Sequence, residues 1–185
     1  MAASDNVSKD QFHVDLFHGT TARHAESIKE RGLGADIPMV YLTHDRELAN
    51  YYAQNHPSSY GKSTPRDQSD PNNHPVVFKV RADTRNLRTD WNSFDVPQGD
   101  PRKYNRERTD TGELYNRARN KGVDPSEDWE TSLDLSGGVV HRGAIPKENL
   151  IEISRMSQGE WKHPFNFKQF EEQVARKPKE DDVEW

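Results

Sequence analysis

Leu16-Phe17-His18-Gly19-Thr20 is the stretch on which the fold turns. The weak alternation of Phe12, Val14 and Leu16 predicts a strand over residues 12–17 with one buried face. That strand ends by presenting a histidine beside a glycine. Thr20 or Thr21 then caps a helix over Ala22 to Arg31, in which Ala22, Ala25 and Ile28 form an apolar stripe and Gly32 is the stop. A turn at Pro38 leads to a short strand, Met39 to Leu42. The helix that follows, starting at Thr43, carries Leu48, Tyr51 and Tyr52 at i, i+3 and i+4.

Further along, residues 54–74 are rich in Ser, Pro, Asn, Asp and Gln, which is loop chemistry. Val76 to Val80 is a dense β-branched and aromatic run and predicts a central strand. Residues 90–128 form a long polar insertion with one helix, where Asp110 and Glu113 make a capping box before Leu114, Tyr115 and Ala118, and Gly122 ends it. Val139 to Ile145 and Leu150 to Ile153 are the last strands, and Asn166 caps a final helix bearing Phe167, Phe170 and Val174. The reading is a single α+β domain over residues 11–176, with a split, mainly antiparallel sheet and flanking helices. Residues 1–10 are expected to be flexible, and the charged tail 177–185 disordered.

Composition narrows the function. The chain has 185 residues, 31% hydrophobic and 31% charged, so its core is small. A net charge of −5 argues against a broad electrostatic grip on nucleic acid, while leaving room for a local basic groove. With no cysteine there is neither disulfide nor thiolate zinc site, and the histidines show no ligand spacing with acids, so no metal is expected. No apolar run approaches the ~18–20 residues of a spanning helix, and the first residues lack a signal-peptide core. The expectation is no membrane partner, with synthesis in the cytoplasm and delivery into another cell, without a cleaved signal, left open.

Three segments in order carry a resemblance: Leu16 to Thr20; Val40-Tyr41-Leu42-Thr43 running into Asn50-Tyr51-Tyr52-Ala53; and Ser136-Gly137-Gly138-Val139-Val140-His141-Arg142-Gly143-Ala144-Ile145-Pro146. Over about residues 12–155 the set resembles the ADP-ribosyltransferase superfamily, on the histidine- and tyrosine-motif branch of diphtheria-toxin-like and poly-ADP-ribose-polymerase-like enzymes. It is also similar to the RNA 2′-phosphotransferases, which share that fold. Those enzymes have a histidine where this chain has Tyr41 and carry a basic N-terminal domain that is not expected here, a departure that favours ADP-ribosyl transfer.

The resemblance implies NAD+ as co-substrate, with His18, Gly19 and Thr20 binding it. The histidine would donate a hydrogen bond to the adenosine ribose, and the glycine backbone would receive the nicotinamide carboxamide, since a missing side chain admits a ligand amide. Tyr41 and one of Tyr51 or Tyr52 would sandwich nicotinamide, a flat ring that is cationic when ribosylated. Arg142, beside His141 on the late strand, would meet pyrophosphate. The family places a glutamate at the start of that strand, where this chain reads Ser136-Gly137-Gly138. Among the nearby acids Glu127, Asp128, Glu130 and Asp134, Glu130 is the candidate, completing a catalytic set with His18 and Tyr41. A cleft is expected between the 16–20 strand end and the 139–145 strand, with His18 and Tyr41 both facing it.

The function expected is mono-ADP-ribosylation of a macromolecular acceptor, protein or RNA, with nicotinamide leaving. The resemblance extends to toxins or effectors, whose partners include an inhibitor or immunity protein. Two alternatives stay open: a non-catalytic module that binds NAD or ADP-ribose, and an RNA 2′-phosphotransferase-like enzyme.

Overall fold

In chain order the elements are β1 (His13–Thr21), α1 (Ala22–Arg31), β2 (Met39–Thr43), α2 (Arg46–Gln54), the two-residue strands β3 (Asn55–His56) and β4 (Thr64–Pro65), β5 (Pro75–Asp83), β6 (Leu87–Thr89), α3 (Thr109–Lys121), α4 (Trp129–Ser136), β7 (Gly138–Arg142) and β8 (Leu150–Arg155). This is a computed structural model, and it describes residues 12–56, 64–94 and 109–155. The expectations for residues 1–10, the helix capped by Asn166 and the tail 177–185 lie outside the described residues.

Six strands form one sheet in the order β6-β7-β2-β1-β5-β8. Every pairing in it is antiparallel. β1 and β5 run in register from His13↔Asp83 to Thr21↔Pro75, and β2 and β7 from Met39↔Arg142 to Thr43↔Gly138. Between β1 and β2 the register holds only at Phe17↔Thr43. The sheet is therefore split into two halves that touch at one rung. The domain is α+β with a mainly antiparallel sheet.

The apolar run of β5 follows from cover on both faces. Val76, Phe78 and Val80 join Leu16, Val40, Leu42, Leu87 and Val139 in the main core, which receives Ala25 and Ile28 from α1 and is flanked by Trp129 and Leu133 of α4. Val77, pointing the other way, is equally buried, and α2 crosses β1 and β5. Phe78 is fully buried, and a side chain of that size contributes about 2–3 kcal/mol by burial. Gly32 ends α1 with φ of 88°, its N–H reaching the Ile28 carbonyl at 2.8 Å. Leu33 and Ile145 then exchange two backbone hydrogen bonds, of 2.9 and 2.8 Å, which tie the end of α1 to the turn after β7.

Several expectations change. β1 continues to Thr21, because β5 offers a ladder partner to each residue up to that point. Thr21 occupies the N-cap position of α1 but makes no side-chain capping bond. α2 starts at Arg46 with Asp45 as its cap, since the Asp45 carboxylate accepts from the N–H groups of Glu47 and Leu48. Thr43 stays in β2, its Oγ1 accepting from the Asp45 N–H at 3.0 Å. The supposed polar insertion opens on a 3-10 turn, Trp91–Phe94, and β6 immediately precedes it. The acidic stretch before Ser136 is helix α4, capped by Asp128. Among the described residues no helix is long and apolar enough to cross a membrane.

Candidate functional site

The split sheet defines a place. Beyond Phe17↔Thr43, β1 and β2 lose register, so the alternate backbone groups of residues 18–21 that face β2 have no ladder partner there. His18 fills the start of this gap: its Nδ1 lies 2.9 Å from the carbonyl oxygen of Tyr41. A carbonyl only accepts, so Nδ1 carries the proton and donates. Burial lowers the His18 pKa, against the opposing pull of that hydrogen bond. The ring is then neutral near pH 7 and Nε2 is an acceptor. In that state His18 can accept a hydrogen bond from a hydroxyl through Nε2, and the donation expected from the resemblance would use the protonated ring.

Facing residues share a face and successive ones alternate. Phe17 and Thr43 thus lie on one side with Gly19 and Tyr41, and Leu16 and Leu42 lie on the other with His18. His18 and Tyr41 therefore do not stand side by side; the ring of one meets the backbone of the other across the gap. The gap itself lies between β1 and β2, because β2 separates β1 from β7 in the sheet order. Gly19 is used differently from expectation. A Cβ there would lie 1.7 Å from the Ala49 carbonyl oxygen, so its missing side chain admits α2, and a ligand has only the strand edge to approach. Thr20 is half-buried and pairs with Val76.

On the α2 side of the sheet, Tyr41 and Tyr52 are exposed at 42% and 43%. Tyr51, half-buried, meets Tyr52 edge-on at 5.7 Å between ring centres. The Tyr41 hydroxyl accepts from the Asn92 amide. Burial and then the charge of Asp90 push both the Tyr41 and Tyr52 phenols up, and Asn92, which holds the Tyr41 hydroxyl, also gives its backbone N–H to Asp90 Oδ1.

Asp90 was not among the expected site residues. It directly follows β6 and is 6% exposed. Its Oδ1 accepts from the backbone N–H groups of Asn92 at 3.1 Å and Ser93 at 3.3 Å, and its Oδ2 from the Ser93 hydroxyl at 2.6 Å. Burial pushes the carboxyl up, and these donors oppose the shift. A Cβ built on Gly138, the first residue of β7, would lie 3.1 Å from Asp90 Oδ2. The fully buried Ser132 hydroxyl bridges the two strand ends, accepting from the Asp90 N–H at 3.0 Å and donating to the Gly138 carbonyl at 2.7 Å. The signal was an Asp with Asn and Ser two and three residues on, an Asx-turn pattern.

Glu130 is not brought to this group. It sits in the first turn of α4, exposed, with Lys121 of α3 3.5 Å away. Lys121 also meets Asp128 at 2.8 Å and the Thr131 hydroxyl at 3.0 Å, and Arg117 holds Asp134. The acids of this stretch join α4 to α3 around a shallow depression lined by Arg117, Asn120, Lys121 and Glu130. The physical reason is the helix itself: once Asp128 caps it, residue 130 points outward. Arg142 is exposed at the far end of β7 from Gly138. It shares the face of Tyr41 and is a diagonal neighbour, since Tyr41 pairs with Val140. His141 is buried, its Nδ1 bonded to the Gly143 carbonyl at 3.0 Å, which leaves it to the core. Among the described residues no group of three His, Asp or Glu could hold a metal ion.

No family model matches this chain, and no curated protein matches it.

Proposed function

We propose that the chain cleaves NAD+ at the bond between nicotinamide and ribose and transfers ADP-ribose to a macromolecular acceptor. The observation that carries this reading is the His18–Tyr41 hydrogen bond at the parting of β1 and β2. It supports the reading by bringing the His18 ring to the Tyr41 backbone beside an unpaired strand edge, with the exposed Tyr41 ring on the opposite face of the sheet. The strand edge at Gly19 offers N–H and C=O to a carboxamide. Tyr41 and Tyr52 offer aromatic faces to a ring that is cationic until it leaves. His18 Nε2 accepts from a ribose hydroxyl, and Arg142, on the Tyr41 face, offers a guanidinium to pyrophosphate. The acceptor is a protein or an RNA.

The test is nicotinamide release from NAD+, with and without cell lysate. Release that requires lysate identifies a transferase, and labelled NAD+ followed by separate protease and RNase digestion names the acceptor class. A second reading, a module that binds NAD or ADP-ribose without turnover, draws on the absence of a side chain at Gly138, where a strand-borne carboxylate would begin. Tight NAD binding with no release under either condition would establish it in place of the first.

A further inference from the structure

We propose that Asp90 is the catalytic carboxylate of this site, delivered from the end of β6 into the space that Gly138 leaves empty, and that Ser132 is its positioning residue. This rests on the NAD-cleaving reading above. When nicotinamide leaves, its ring nitrogen takes the electron pair of the bond to C1′ and becomes neutral, and the ribose acquires oxocarbenium character. An acceptor oxygen or nitrogen then forms the new bond to C1′ and gives up one proton. A carboxylate beside C1′ stabilises the cation and receives that proton.

The geometry supplies such a group. β6 lies beside β7, and Thr89 pairs with Val139, so Asp90 arrives opposite Gly138. There the Ser132 hydroxyl takes the place of the next rung, holding the Asp90 N–H and the Gly138 carbonyl together. Asp90 Oδ2 then projects over the Gly138 backbone, where any side chain would crowd it. That side of the sheet is the Tyr41 side, because Gly138 pairs with Thr43 and Tyr41 lies two residues from it. Three donors occupy the carboxylate: two N–H groups on Oδ1 and the Ser93 hydroxyl on Oδ2. A carboxylate has about four acceptor positions, so one on Oδ2 is left for a substrate. A cap alone accounts for Oδ1. It does not account for a buried Oδ2 held 3.1 Å from where a Cβ on Gly138 would lie.

Asp90→Asn keeps the Oδ1 bonds and removes the charge. The expected result is a fall in kcat for nicotinamide release of ~100-fold or more, with the Kd for NAD+ changed less than ~3-fold, because the charge acts on the transition state. Glu127→Gln, an exposed turn residue, should match wild type. Gly138→Ala leaves Asp90 in place but presses on Oδ2, and should lower kcat about tenfold with KM nearly constant. Ser132→Ala should lower kcat and shift its pH profile, and Ser132→Thr should restore part of the rate. Normal kcat in both Asp90→Asn and Gly138→Ala overturns the proposal while leaving NAD cleavage intact. A large loss in Glu130→Gln with Asp90→Asn unaffected does the same. A wild-type protein that releases no nicotinamide under any condition overturns the NAD-cleaving reading, and the role of Asp90 falls with it.

Discussion

Replacing Gly19 by alanine separates two reasons for a glycine beside His18. If the glycine serves a ligand alone, the added methyl should block NAD and leave the fold untouched. The structure gives another answer, since the methyl would sit 1.7 Å from the carbonyl oxygen of Ala49 and 3.1 Å from the amide nitrogen of Ala53. Nonbonded contact requires about 3.5 Å, so α2 would have to retreat by roughly 1.5–2 Å. Both obstructing atoms are backbone, and Ala49 and Ala53 are 1% and 0% exposed, so no side chain can swing aside. Overpacking of this kind costs about 1–3 kcal/mol where side chains can give way. Here the top of that range, about 3 kcal/mol, is the expected minimum. At this chain length each kcal/mol moves Tm by about 2–4 °C, so thermal unfolding followed by circular dichroism should show a loss of about 6–12 °C. NAD binding should fall as well, because α2 carries Tyr51 and Tyr52 with it. A Gly19→Ala protein that melts like wild type refutes the packing argument, and one that also loses NAD binding returns the glycine to a ligand role.

Three further outcomes are expected. His18→Ala should weaken NAD use by about 1–3 kcal/mol, the value of one hydrogen bond to a ligand, as measured by kcat/KM for nicotinamide release; full activity in a folded variant would remove His18 from the site. Asp90→Asn should melt above wild type at neutral pH: burial raises the folded carboxyl, so its favourable contribution is fully present below the unfolded pKa of about 3.9 and lost as pH rises through the folded value. The gap should close on acidification, and a variant less stable by the same margin at every pH would contradict this. Asp128→Ala should cost about 1–2 kcal/mol through loss of the α4 cap and of the Lys121 contact. Burial pushes the Asp128 carboxyl up, but Lys121 and Thr131 outweigh it and hold the folded value below normal, so that difference should shrink as pH falls through it.

The elements that were legible in the sequence are those with a local cause. Ala25 and Ile28 with Gly32 after them define α1 by period and stop, and the Val76–Val80 run defines β5 by density of β-branched residues. The three residues of β6 were not legible, because Leu87-Arg88-Thr89 becomes a strand only through pairing with β7, fifty residues later. α4 was hidden for a related reason: its Trp129, Leu133 and Leu135 pack onto separate clusters, so no single apolar stripe marks it as a helix. At the candidate site, His18, Tyr41 and the pair Tyr51 and Tyr52 could be named from order and spacing, but not which of the pair would serve. The face each occupies could not, since that depends on the one rung, Phe17↔Thr43, that joins the half-sheets.

The acid was sought in the segment 127–134, which the structure joins to Asp90 through Ser132. Residues 127–134 do serve the proposed site, but through a buried hydroxyl and not an exposed carboxylate. On α4, Glu130 and Ser132 are two residues apart, or about 200° around the helix. Docking Trp129 and Leu133 on the sheet turns Ser132 inward and leaves Glu130 to Lys121. The inward serine then does what a ladder bond would have done, joining the Asp90 N–H to the Gly138 carbonyl while leaving Asp90 free to turn back on itself. A direct rung between residues 90 and 138 would have continued β6 as a strand, whereas the serine lets the chain break into the 3-10 turn that supplies Asn92 and Ser93 as donors. One hydroxyl thus converts a strand end into a carboxylate mount. A side chain missing from β7 and an aspartate on its sheet neighbour are then two halves of one arrangement, which no reading of either segment alone would join.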